Sequence, residues 1–253
     1  MEFNNEKNII IEGMTSISSL INAISSDIND RKIISVYVSK TAVNKKNREI
    51  AFLKHKSEQF GFHIITVSDS EITNIASGNT HGGIVALCTE RTFKKVSFDN
   101  ISKNGFYFLI EGLEDPYNFG YTVRSLYAAG ADGIILPERN WMSASGTVIK
   151  ASAGTTELID IFAGDTIEAI HILKKMGYNV ISAGIRDSVS LYNAELKKTI
   201  LLIIGGEKRG ISRALLELSD GIVRIDYGRN FMGSLTTASS AAIIAFEILR
   251  QNS

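Results

Sequence analysis

Only one cysteine, Cys88, occurs in 253 residues, so no intramolecular disulfide can form and packing must hold the chain together. The four histidines, His55, His63, His81 and His171, show no metal-ligand spacing with Cys88, which argues against a metal centre. No apolar run approaches the ~20 residues of a membrane helix. The opening MEFNNEKNIIIEGM lacks both a basic stretch and a long apolar core. The expectation is a cytoplasmic protein without a membrane span. Net charge is absent too: 27 basic and 27 acidic side chains cancel, so any surface for a polyanion must be local. With two prolines, 44% hydrophobic and 21% charged residues, the composition excludes a disordered or fibrous chain and allows a buried core. There is no internal repeat or low-complexity tract.

The pattern along the chain is that of an α/β protein in two parts. A helix capped by Thr15 or Ser16 runs through LINAISSDI, and IISVYVS reads as a buried strand. A helix from Asn47 to Phe60, the strand FHIITVS, a short helix opening at Ser68 or Asp69 and the strand after Gly82 and Gly83 complete a small unit. Apolar periodicity then fails across RTFKKVSFDNISKNG, which places a boundary near residue 98. Beyond it, the apolar strands FYFLIEGL, GIILP, VISAGI, TILLIIGGE and GIVRIDY alternate with helices, the last running through SLTTASSAAIIAFEILRQ. Nearly continuous apolar strands interleaved with helices predict a layered domain with a buried parallel sheet.

In this second part, three segments fall where such sheets place ligands, between strand carboxyl ends and helix N-termini. They are Asp115-Pro116-Tyr117-Asn118-Phe119-Gly120 with Arg124 beyond it, Gly205-Gly206-Glu207-Lys208-Arg209-Gly210-Ile211, and Ile225 through Ser234-Leu235-Thr236-Thr237. GGEKRG fits neither the dinucleotide fingerprint nor the P-loop pattern, so those nucleotide-binding classes are disfavoured. In this order the segments resemble the SpoU or TrmH group of the SPOUT superfamily, knotted RNA ribose 2′-O-methyltransferases, and the likeness covers essentially the whole chain. The N-terminal part, with VYVSK and His81-Gly82-Gly83-Ile84-Val85-Ala86, resembles the L30e-like substrate-binding domain of many relatives.

The resemblance implies a small L30e-like domain over 1–98 and, over 99–253, a parallel-sheet methyltransferase domain whose trefoil knot cradles S-adenosylmethionine. It implies that Ala183, Gly205, Gly206, Ile225 and Leu235 hold the cofactor, and that Asn118, Arg124, Glu207 and Ser234 form the polar catalytic set. It further implies a homodimer and an RNA substrate, ribosomal before transfer. With all these motifs after the boundary, a chain beginning near residue 99 is expected to fold and bind cofactor alone.

The chain departs from the family pattern where relatives read S-L-N and I-P: it has Ser234-Leu235-Thr236 and Ile225-Asp226. That change leaves open a noncatalytic RNA-binding or assembly protein on the same fold. Simpler roles also stand beside each residue. Asn118 and Gly120 could cap a helix, Glu207 could be a solvated carboxylate balancing Lys208 and Arg209, and Ser234 could cap the last helix. Cys88 reads as a small buried hydrophobe, and His81 as loop packing before substrate contact. Lys40, Lys45, Lys46 and Arg48, continued by Lys54 and Lys56 and opposed only by Glu49, form either a solvated helix face or an RNA-backbone contact.

Overall fold

The computed structural model describes residues 8–138 and 145–253. They make two compact units that are not contiguous in sequence: 8–92 with 145–158, and 93–138 with 159–253. The first cut between the units, at 92/93, lies close to the residue 98 expected from the sequence, and 145–158, read there as part of the second segment, packs in the first unit.

The first unit is built on a four-stranded sheet of order β1-β4-β2-β3. These strands are β1 (Asn8–Glu12), β2 (Ile33–Ser39), β3 (His63–Val67) and β4 (Ile84–Thr89). β4 runs antiparallel to both β1 and β2, while β2 and β3 are parallel. Helix α1 (Met14–Ser25) starts at Gly13, whose φ of 83° no expected Thr15 or Ser16 cap could adopt cheaply, and no side chain caps it. The short helix expected near Ser68 is α4 (Asp69–Ile75), fixed by a capping box between Ser68 and Glu71.

The basic run does not form one helix. It is divided at Lys46 between α2 (Lys40–Lys45) and α3 (Asn47–Phe60).

Leu20, Val36, Leu53 and Ile84 form the core of this unit together with Ile149, carried by α6 (Ser145–Ala151). Polar contacts fasten the same segment. Lys150 Nζ lies 2.6 Å from Glu12, whose carboxylate also accepts from the backbone N–H of Ser77 and Gly78. Glu157, on the short α7 (Thr155–Leu158), meets Arg31 Nε at 2.8 Å, both side chains 2% exposed. Arg91 Nη1 donates to the Thr156 carbonyl. Burial pushes the Cys88 thiol up to about 12, as suits an inert core residue.

The second unit holds a seven-stranded sheet of order β7-β6-β5-β10-β8-β11-β9, parallel throughout. Its strands are β5 (Phe106–Glu111), β6 (Gly133–Pro137), β7 (Asp160–Gly164), β8 (Asn179–Ala183), β9 (Val189–Ser190), β10 (Ile200–Gly205) and β11 (Gly221–Arg224). β10 slots between β5 and β8, and β11 between β8 and β9, so late segments of the chain fill places between earlier strands. β5 and β10 are buried over almost their whole length, as their continuous apolar sequences require. Helix α5 (Pro116–Ala128) follows β5 and packs against the terminal helix α10 (Thr237–Asn252). Among the described residues, no helix is long and apolar enough to cross a membrane.

Candidate active site

The carboxyl ends of β8, β10 and β11 open onto a cavity of about 680 Å³. In a parallel sheet this is where backbone amides and loop side chains converge. Ala183, Gly205, Gly206, Ile225 and Leu235, each expected to hold a cofactor, all line it, as do Glu207 and Ser234 of the polar set. Residues far apart in sequence therefore meet at one wall.

Two glycines make the wall possible. A Cβ on Gly206 would run into the carbonyl oxygen of Gly112, and one on Gly205 into the backbone of Gly210 and Ile211. The loop after β10 folds back tightly, with Gly210 N–H donating to the Gly206 carbonyl at 2.9 Å. Gly206 N–H in turn donates to the Glu111 carbonyl at 2.6 Å, joining this loop to the end of β5.

The simpler roles weighed from the sequence are taken by neighbouring residues. Asp115, not Asn118, caps α5, accepting from Asn118 N–H at 2.7 Å. The Asn118 amide is then free to donate to Glu207 Oε1 at 3.1 Å. Glu207 is exposed and accepts this bond, while Lys208 lies 3.6 Å from Glu114. Likewise Thr236, not Ser234, caps α10, its hydroxyl accepting from Ser239 N–H at 3.2 Å. Ser234 is left exposed on the cavity rim. The unusual Thr236 thus performs a capping task that threonine and asparagine both do well.

Arg124 is not brought to the cavity. It is exposed on α5, and no hydrogen-bond or ion-pair partner for it occurs among the described residues. It follows Tyr117 and Tyr121 at helical spacing, and both tyrosines are about half exposed, at 55% and 48%.

Sequence reasoning missed the acidic and aromatic side of the cavity. Asp226 accepts from Arg224 Nε at 2.8 Å, while Arg224 Nη1 donates to the Ser188 carbonyl. A hydrogen bond from Ser190, with the Arg224 guanidinium, holds the Asp226 carboxyl below its ordinary range. Tyr227 and Phe231 pair with ring centres 5.7 Å apart, and Leu235 N–H donates to the Tyr227 hydroxyl. Thr237 Oγ1 donates to the Gly205 carbonyl at 3.1 Å, fixing the start of α10 to the end of β10. The only warning in the sequence was Asp226 standing where relatives carry proline.

In the first unit, Lys45 and Lys46 line a second cleft, whereas Lys40 and Arg48 are exposed outside it.

Residues 10–94 match the family model described as RNA 2′-O ribose methyltransferase substrate binding. The 23S rRNA (guanosine-2′-O-)-methyltransferase RlmB of Xylella fastidiosa is 26% identical over 254 residues, covering 98% of this chain and 98% of that protein. The crystal structure of an AdoMet-bound rRNA methyltransferase from Sinorhizobium meliloti superposes with a TM-score of 0.77 at 23% identity, over 96% of this chain and 87% of that one. The SpoU methyltransferase AviRb from Streptomyces viridochromogenes, in complex with the cofactor AdoMet, gives a TM-score of 0.79 at 17% identity, over 96% and 90% of the two chains. These likenesses show the fold. Residues 105–246 match the SpoU rRNA Methylase model, and because that match spans more than half of the molecule, the chain belongs to the SpoU rRNA Methylase family.

Proposed function

We propose that this chain is an S-adenosylmethionine-dependent RNA methyltransferase that transfers a methyl group to a ribose 2′-hydroxyl, of ribosomal before transfer RNA. The observation that carries the reading is the convergence of Ala183, Gly205, Gly206, Ile225, Leu235, Glu207 and Ser234 on one cavity, with Asn118 tied to Glu207 beside it. At about 680 Å³ the cavity suits a nucleoside-sized ligand, for which sites span roughly 300–1,000 Å³. Its ionisable wall is Glu207 and Asp226 against Arg224, an acidic excess that favours a cationic cofactor.

S-adenosylmethionine, when bound, supplies an electrophilic methyl group on a sulfonium. The chain's own part is mostly alignment, which alone can supply much of an acceleration. The backbone around Gly205, Gly206, Ile225 and Leu235 holds the adenosyl end, with Ala183 lining the pocket. The Asn118 side chain, fixed by Glu207, and the Ser234 hydroxyl orient the ribose. A guanidinium is a poor proton acceptor, so Arg124 is assigned the adjacent phosphate and the developing alkoxide, the proton leaving to phosphate or water.

The exposed position of Arg124 on a stripe with Tyr117 and Tyr121 supports a homodimer in which paired chains complete the site. Residues 1–98 are assigned to RNA recognition, together with Lys40, Lys45, Lys46 and Arg48, and the threading of the late strands to a trefoil knot. The cytoplasm is the proposed place of action. Calorimetric titration with S-adenosylmethionine and mapping of 2′-O-methyl sites in RNA from cells with and without the gene test the assignment. Absence of cofactor binding, or identical methylation maps, would refute it.

A further inference from the structure

Outside the cofactor cavity, the first unit contains a cleft of about 280 Å³ between α2, α4 and the turn before β4. Lys45, Lys46, His81 and Gly82 line one side, and Asp69 and Thr73 the other. Neither lysine has a hydrogen-bond or ion-pair partner among the described residues. Lys46 is half-buried, its stem packed in the fold. Its ammonium rests against the turn after His81, since a Cβ on Gly82 would lie 2.8 Å from Lys46 Nζ.

The imidazole is held in a defined state. His81 Nδ1 accepts from Gly83 N–H at 3.1 Å, so a ring proton must reside on Nε2, leaving that nitrogen as a donor. Among the described residues of the lining the one carboxylate is Asp69, which accepts from Thr41 Oγ1 at 2.8 Å. Among the described residues no phenylalanine, tyrosine or tryptophan lines the cleft, so these offer no stacking platform for a splayed base. Around this small hollow two ammonium groups and an N–H outnumber the Asp69 carboxylate, a balance that suits a compact anion.

We propose that this cleft is an anion cradle that grips one phosphodiester of the RNA substrate through Lys45, Lys46 and His81 Nε2–H. The proposal rests on the reading that this chain engages RNA, and it adds where the backbone is held and by which atoms. It also gives His81 a ligand contact in addition to its turn-bracing bond.

The test uses the full chain, a short labelled single-stranded oligoribonucleotide and fluorescence anisotropy across a salt series, with thermal melting and S-adenosylmethionine titration as controls on folding. Lys46→Gln should weaken binding by about tenfold and lower the slope of log affinity against log salt by about one. His81→Asn keeps an acceptor for Gly83 N–H but draws its N–H donors back from the position of Nε2, so it should weaken RNA binding several-fold while melting like the parent. His81→Gln, which forfeits the turn contact, separates bracing from binding. If His81→Asn binds like the parent and only His81→Gln fails, the imidazole is a brace and the cradle is wrong. Unchanged affinity and salt slope in Lys46→Gln would also overturn it. Inorganic phosphate binding tightly and depending on Lys46, while RNA affinity does not, would make this a free-anion site instead. An unsubstituted chain that binds no RNA at all would remove the substrate reading itself, a result distinct from any variant effect.

Discussion

Removal of the Glu157 carboxylate should unfold the first unit far more readily than its place in the sequence suggests. Glu157 sits 126 residues from Arg31, in what looked like a different domain, yet the two side chains meet at 2.8 Å and each is 2% exposed. Asn29 Nδ2 also donates to the same carboxylate oxygen, and Arg31 Nη1 donates to the Thr89 carbonyl on β4. Glu157→Ala leaves the guanidinium buried beside a neutral cavity. Breaking a buried pair this way costs about 3–5 kcal/mol, or roughly two to four orders of magnitude in the unfolding equilibrium. The double change Arg31→Met with Glu157→Leu replaces both charges with apolar volume and should recover most of the loss. Urea unfolding followed by circular dichroism measures the difference, with S-adenosylmethionine titration reporting on the second unit. A loss below about 1 kcal/mol for Glu157→Ala would mean the pair is effectively solvated, and the reasoning would fail. The same contacts bear on the expectation that a chain beginning near residue 99 folds by itself. Such a chain keeps Ile149 and Glu157 but deletes the core and the guanidinium that bury them.

Other outcomes follow from the same structure. Thr236→Asn should preserve the cap on α10 and keep cofactor affinity, whereas Thr236→Ala should cost about 1 kcal/mol in thermal unfolding; a normally folded Thr236→Asn chain without activity would show that the pocket is built around threonine. Arg124→Ala should abolish methyl transfer in a tritiated-methyl assay while leaving S-adenosylmethionine affinity within a few fold, since the side chain does not line the cavity; retained turnover removes it from the site. Gly206→Ala should destabilise the second unit by at least about 1–3 kcal/mol and lower cofactor affinity, because the new methyl group has only the Gly112 carbonyl to displace. Arg250, followed by Gln251, pulls the Glu247 carboxyl from 4.5 to about 2. Because the folded value lies below the unfolded one, this contribution is complete above about pH 4.5 and fades as the pH falls towards 2. Glu247→Gln should therefore lower Tm at neutral pH by more than at pH 3, and an equal drop at both would refute the assignment.

Much of the candidate site was legible because its chemistry sits in short motifs. Gly205-Gly206-Glu207 follows an unmistakably apolar strand, and Asp115-Pro116 announces a helix start. What the motifs could not say was which residue of each took the structural task. Asp115 and Thr236 became the caps, and so left the Asn118 amide and Ser234 beside the cavity. Capping depends on the φ and ψ of one residue, and several side chains within a motif are chemically able to do it. The helix from Asn47 to Phe60 was legible to its ends, whereas the short α2 before it was not, since Thr41, Val43 and Asn44 are indifferent helix formers.

The sequence by itself determined the α/β class, the buried parallel strands and the chemistry available at their ends. Hydrophobic period and local turn residues act over a few positions, and the backbone obeys them wherever they fall. The tertiary structure decided the rest: the insertion of β10 between β5 and β8, the surrender of 145–158 to the first unit, and the meeting of Asn118 with Glu207. These outcomes depend on contacts between residues tens to more than a hundred positions apart, where burial of Ile149 and pairing of Glu157 with Arg31 outweigh anything encoded nearby.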